Sequence, residues 1–171
     1  MNKRNNLSTS SIVIAGLMAA ISIILTRFFS IMVLGDTLRL SFGDMPIELA
    51  GILLGPIVGA LTGIVADLAG FMMRSTGGFF PGFTLSAALT GLIPGLIFWG
   101  NKDRYPLWKV IVAIVAVNLI VCLGLNTLWL TIMYKKGFMI LLPSRIIARA
   151  IIAPIDIAVI YLLLQKIRIK R

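Results

Sequence analysis

Four stretches of this chain are predominantly apolar over about the length a helix needs to cross a bilayer: Ile12 to Leu34, Phe83 to Trp99, Trp108 to Tyr134, and about Leu142 to Leu164. A water-soluble core cannot absorb that much apolar chain: of 171 residues, 59% are hydrophobic and only 13% are charged, where soluble domains carry about 25% charged residues. The chain therefore reads as one all-α integral membrane domain covering residues 1–171. The first run follows Lys3 and Arg4 as a signal peptide would, but it outlasts a signal h-region and lacks an A-x-A-like cut site, so it is expected to remain as a span.

The segment "MPIELAGILLGPIVGALTGIVADLAGFMM", Met45 to Met73, is long for one span and short for two, with Gly55-Pro56 inside it as a turn signal. Charge separates the alternatives. If Gly55-Pro56 turns the chain, six helices cross and the cytoplasmic side holds Lys3, Arg4, Lys102, Arg104, Lys109, Lys166, Arg168, Lys170 and Arg171, against Arg39, Arg74, Lys135 and Lys136 outside. A five-span chain would leave only Lys3, Arg4, Arg74, Lys135 and Lys136 inside. The positive-inside rule selects six transmembrane helices with both N and C termini cytoplasmic, and it makes the second helix, about Pro46 to Leu54, short. The net charge of +10 is thereby read as topology rather than nucleic-acid binding.

On the outer side of that arrangement lie the more elaborate loops. "GDTLRLSFGDMP" alternates Leu38, Leu40 and Phe42 with Arg39 and Ser41, the period of an extended or hairpin segment. "RSTGGFFPGF" combines Gly77-Gly78, Pro81-Gly82 and three phenylalanines, while the inner "GNKDRYPLWK" is a plain charged turn. Elaboration on one face suggests that this face receives something. Histidine is absent and Cys122 is the single cysteine, so histidine catalysis and an internal disulfide are excluded and no metal or other cofactor is expected. The six acids are scattered, which argues against a lipid-modifying enzyme.

The costliest residues stand in "LLPSRIIARAIIAPID", because an arginine at the bilayer centre costs roughly 2.5–3.5 kcal/mol on insertion scales. At about 100° per residue, Arg149 lies about 40° and Asp156 about 20° from Arg145, so all three share one face over ~16 Å. Pro154 interrupts the helix between them. Either Arg145 reaches the outer headgroups and Arg149 pairs with Asp156 or Asp67, or the two arginines form an anion site; the planar guanidinium suits a carboxylate. Asn126, Trp129 and Met133 form a stripe of the fifth helix that ends at Tyr134, Lys135 and Lys136, and Asp67 is the only acid of the third. Arg27 is expected to reach the outer surface, and Glu48 to cap the short second helix. Ala15 and Ala19 make a small-xxx-small pair on the first helix, with Gly16 and Ala20 beside them, which admits close approach by another helix.

"LRLSFGDMPIELAGILLGPIVGALTGIVADLAGF", "FFPGFTLSAALTGLIPG", "LNTLWLTIMY" and "LLPSRIIARAIIAPI" together resemble the membrane-embedded substrate-capture (S) subunits of energy-coupling factor (ECF) vitamin transporters, within them the folate-specific group. The resemblance covers nearly the whole chain. It implies six helices, capture from outside in a pocket formed by the outer loops and the last three helices, and contact of Ala15 and Ala19 with a transmembrane coupling subunit served by two cytoplasmic ATPases in a bacterial cell membrane. The absence of a G-x-x-x-x-G-K-[ST] loop agrees, since such a subunit does not use ATP itself. For folate, the resemblance makes Arg39, Arg145 and Arg149 candidates for the glutamate carboxylates, with Lys135 as a long-range attractor. Asn126 and Asp67 become candidates for the pterin edge, and Phe79, Phe83, Trp129 and Tyr134 for stacking on the rings. Another anionic vitamin such as pantothenate is the alternative within the class; an ion-coupled secondary transporter using Asp67 and Asp156 is the alternative outside it.

Overall fold

The computed structural model describes residues 9–33, 38–73, 79–100, 105–135 and 137–169. Helix α1 (Thr9–Arg27) is followed by a two-stranded antiparallel hairpin, β1 (Ile31–Val33) and β2 (Leu38–Leu40). Then come α2 (Asp44–Leu54), α3 (Pro56–Met73) and α4 (Pro81–Ile97). A continuous helical rod follows: α5 (Leu107–Ala116), a π-helical stretch (Val117–Leu125) and α6 (Asn126–Tyr134). The last element is α7 (Phe138–Ile169), with Pro143 and Pro154 inside it. Among the described residues, four helices have the length and apolarity to cross a bilayer: Thr9–Arg27, Pro56–Met73, Leu107–Met133 and Leu142–Ile167.

The first helix is shorter than its apolar run. A span from Ile12 to Leu34 was the expectation; the helix stops at Arg27 and residues Ile31–Val33 pair instead with Leu38–Leu40, in the register Ile31↔Leu40, Met32↔Arg39, Val33↔Leu38. Two β-branched residues in a three-residue stretch favour the strand, and the period of two after Thr37 supplies its partner. The fold is thus helical with one small hairpin rather than purely α.

Gly55-Pro56 is the turn that the second segment required. Gly55 sits at φ +98°, a conformation natural to glycine, and donates its N–H to the Gly51 carbonyl at 3.0 Å. Pro56 then opens α3, where a missing N–H costs nothing. With 11 residues α2 is about 16 Å long, roughly half a bilayer's hydrocarbon core.

Small residues let α2, α3 and α4 meet backbone to backbone. A methyl group built on Gly51 would strike the Gly91 carbonyl, one on Gly63 the Ala87 carbonyl, and one on Gly95 would strike Pro56. The pairs Gly63 with Ala87, Gly59 with Gly91 and Pro56 with Gly95 run in opposite order along the two helices, which makes α3 and α4 antiparallel. This is the close packing that membrane helices use in place of a hydrophobic drive.

Two regions fasten α5–α7 to this block, and they differ in character. The main apolar core joins the C-terminal half of α2 (Leu49, Ile52), the end of α4 (Phe98), the start of α5 (Val110, Ala113, Ile114) and the C-terminal half of α7 (Ile160, Leu164). The other end of the same seam, where α2 begins and α7 enters, is ionic.

Candidate functional site

Alternation of direction brings six helix ends together: the C-termini of α1, α3 and α6 and the N-termini of α2, α4 and α7. Several of the polar and aromatic side chains singled out in the sequence lie at that end, in three local groups.

Arg149 reaches across from α7 to the first residue of α2, its Nη2 donating to Asp44 Oδ2 at 2.7 Å. The pair is open on one side, with side-chain exposures of 20% for Arg149 and 30% for Asp44. Asp44 Oδ2 also accepts a weak hydrogen bond from the Cys122 thiol of the π-helical stretch, at 3.8 Å. The sequence offered Asp156 or Asp67 as protein partners for Arg149; neither takes that role. Asp156 lies two turns deeper on the same helix face, 1% exposed, with Oδ1 unpartnered. Glu48, expected as a cap, is likewise 1% exposed inside the bundle with Oε2 unpartnered. A lone carboxylate buried this way is costly, and the proximity of Asp44, Glu48, Arg149 and Asp156 makes one polar seam between α2 and α7. Arg145 stands one turn before Arg149 on that face, half-buried at the open end.

An aromatic cluster lies at the same end of the bundle, between α4 and α6. The Trp129 indole N–H donates to the buried Ser86 hydroxyl at 3.1 Å, tying α6 to α4. Its ring packs against Phe80 with centroids 5.5 Å apart and planes at 47°, and Phe80 meets Phe83 edge to face at 6.1 Å. Gly82 permits this, since a Cβ there would stand 2.6 Å from the Trp129 ring. Phe79 faces away from that cluster, against Phe71 of α3 at 5.3 Å, and is half exposed. Phe80 and Ser86 were not singled out in the sequence; their signal was the spacing of Gly82 and Ser86, one turn apart on the face of α4 that Trp129 meets. At the start of α6, Asn126 Oδ1 and Thr127 Oγ1 are buried and without a hydrogen-bond partner among the described residues.

Asp67 stands at the α1–α4 side of the same end. It accepts from the Thr84 hydroxyl at 2.7 Å and, with Ser22, Thr26, Arg27, Asp44 and Ala87, lines a cavity of about 80 Å³. That is far below the roughly 300 Å³ at which small-molecule pockets begin, and it suits a few waters. Arg27, the last residue of α1, lies against α3, its Nε 3.1 Å from where a Cβ on Gly70 would be.

Other candidates lie at the rim or elsewhere. Lys135 ends α6 in the left-handed conformation, φ +52°, and is exposed. Tyr134 is the last residue of α6 and Arg39 the middle of β2, each described at the backbone alone. Arg74 and Lys136 fall outside the described residues. On α1, Ala19 is 3% exposed and packs with Ile23, Ile47 and Ala66, so it faces this chain's own bundle. Ala15 is half-buried, and the open small-residue strip runs through Gly16 and Ala20, one residue further round.

Comparison with known proteins points one way. Residues 10–164 match the family model described as "ECF transporter, substrate-specific component". The folate transporter FolT of Clostridium novyi (strain NT) is 35% identical over 144 residues, covering 84% of this chain and 81% of that protein. The folate transporter FolT of Leuconostoc mesenteroides subsp. mesenteroides is 31% identical over 164 residues, covering 93% and 86%. A crystal structure of FolT bound with folic acid superposes with a TM-score of 0.81 at 32% identity, covering 93% of this chain and 95% of that one.

Proposed function

The chain belongs to the substrate-specific components of ECF transporters, and we propose that within this family it is the folate-capturing subunit. The observation that carries the reading is the presence of a partly exposed arginine and an aromatic cluster at the same end of the bundle, in a fold that matches a FolT bound with folic acid. Folate has a dianionic glutamate tail, a flat aryl linker and a pterin edge of donors and acceptors. Arg145 and Arg149, with Arg39 on the hairpin, receive the carboxylates; a guanidinium fork in a site of low dielectric favours that anion strongly. Trp129 offers a face to the rings, and Phe83 and Tyr134 are the further stacking candidates, while Phe79, set against Phe71, is not used. Asn126, whose buried side-chain oxygen has no hydrogen-bond partner among the described residues, and Asp67 are the candidates for the pterin edge. Lys135 adds steering charge.

The chain is a multi-pass membrane protein whose relatives are transporter components rather than enzymes. We read all six helices as membrane-embedded, α2 only partly crossing, with both termini cytoplasmic and the arginine end outward in a bacterial plasma membrane. A transmembrane coupling subunit and two ATPases then supply the energy, with ATP used only there and no cofactor on this subunit. Gly16 and Ala20, alongside Ala15, are the small residues of α1 open to a coupling helix. The pantothenate alternative is not favoured by any of the relatives. The test is calorimetry of the purified protein in detergent: tight one-to-one binding of folate and none of pantothenate is expected, and the reverse overturns the reading.

A further inference from the structure

The sequence offered Arg149 either a ligand or a protein partner; the structure gives it a partner and leaves its side chain 20% exposed. Its ion pair with Asp44 uses one nitrogen and one oxygen, so Asp44 does not consume the second edge of the guanidinium. Asp44 is itself firmly mounted. The residue before it is pinned to α1, because the buried Ser22 hydroxyl donates to the Gly43 carbonyl at 2.6 Å. Pro46 stiffens the first turn, whose N-terminal position favours a negative charge. From the opposite side the Cys122 thiol meets the same carboxylate oxygen that Arg149 uses. The backbone beside Asp44 is thus anchored to α1 and its carboxylate meets the π-helical stretch, and that carboxylate holds one edge of a long, otherwise flexible side chain.

We propose that Asp44 is a positioning residue that fixes the Arg149 guanidinium so that its second edge reads a carboxylate of the ligand. This rests on the assignment of folate as ligand. Fixing the fork before the ligand arrives removes much of the ordering cost of a cation–carboxylate contact. It also sets a sign: Asp44 aids anion binding through Arg149 although it is itself an anion, whereas a carboxylate that merely competed for the arginine would weaken it.

The experiment is calorimetry on the purified full chain with two probes, folate and its dimethyl ester, which keeps the rings and loses both tail charges. The unsubstituted protein should bind folate far more tightly than the ester. Asp44→Asn should weaken folate at least tenfold while shifting the ester less than twofold, and Asp44→Glu, which keeps the charge but moves it by one methylene, should also weaken folate selectively. Equal losses for both probes would reduce Asp44 to a structural role, and tighter folate binding would make it a competitor; either result overturns the proposal while leaving folate capture standing. Absence of folate binding by the unsubstituted protein would overturn the assignment of folate, and this proposal with it. If Asp44→Asn does not fold, the Asp44→Glu comparison decides alone.

Discussion

Among the described residues Arg145 has no ion pair like that of Arg149 with Asp44, which makes it the cleaner probe of anion capture. Replacing it by alanine removes a charge-assisted contact worth about 1.5–3 kcal/mol, so folate affinity should fall roughly 10- to 150-fold by calorimetry while the thermal midpoint without ligand stays put. Ser86→Ala leaves the Trp129 N–H without its acceptor and frees the ring to turn. The cost of one neutral hydrogen bond, about 0.5–1.5 kcal/mol, translates into at most about a tenfold loss of folate affinity. It is best read from folate quenching of Trp129 fluorescence in a Trp99→Phe, Trp108→Phe background. At this scale the sequence was half legible. Arg145, Arg149 and Trp129 stood out because charge and polarity are expensive in an apolar helix. Asp44 did not, because an acid at the head of a helix already has a local explanation and its partner lies 105 residues away. The depth of Glu48 was hidden for the same reason.

The helices α2, α3 and α4 are held by absent side chains. Gly91→Ala would push a methyl group into the Gly59 carbonyl, and neither backbone can yield without separating the helices. Overpacking of this kind costs about 1–3 kcal/mol, so the thermal midpoint in detergent should drop by several degrees. Gly16→Ala is the matched control: nothing lies within 4 Å of a Cβ there, and the midpoint of the isolated subunit should not fall. The existence of these helices was readable from hydropathy, and Gly55-Pro56 marked the turn between α2 and α3. Where α1 ends was not, because Phe28-Phe29-Ser30-Ile31-Met32-Val33 is apolar enough to prolong a span and strand pairing is a contact with residues not yet met. The π-helical stretch Val117–Leu125 was equally silent, since nothing in its apolar composition distinguishes it from α-helix.

For the whole molecule the reading makes the arginine end extracellular, which chemistry can check in intact cells. In a Cys122→Ala background, Lys135→Cys should react with a membrane-impermeant maleimide added outside, and Lys109→Cys should react only after lysis. The reverse pattern would invert the topology. The native Cys122 is buried and should stay unlabelled in either case. The count of six helices was legible because basic residues sort by side, whereas their crossing and orientation are what the labelling reads.

The bundle also divides its labour in a way that bears on how such a subunit changes over generations. Backbone-to-backbone contacts among α2, α3 and α4 admit almost no substitution at Gly51, Gly59, Gly63, Gly91 or Gly95, whereas Arg145, Asn126 and Trp129 reside on α6 and α7, outside that glycine seam. Selection for a different vitamin can therefore rewrite α6, the start of α7 and the hairpin while the glycine block is inherited unchanged. A laboratory evolution experiment toward a new ligand should accumulate its mutations there, and hardly any between Gly51 and Gly63.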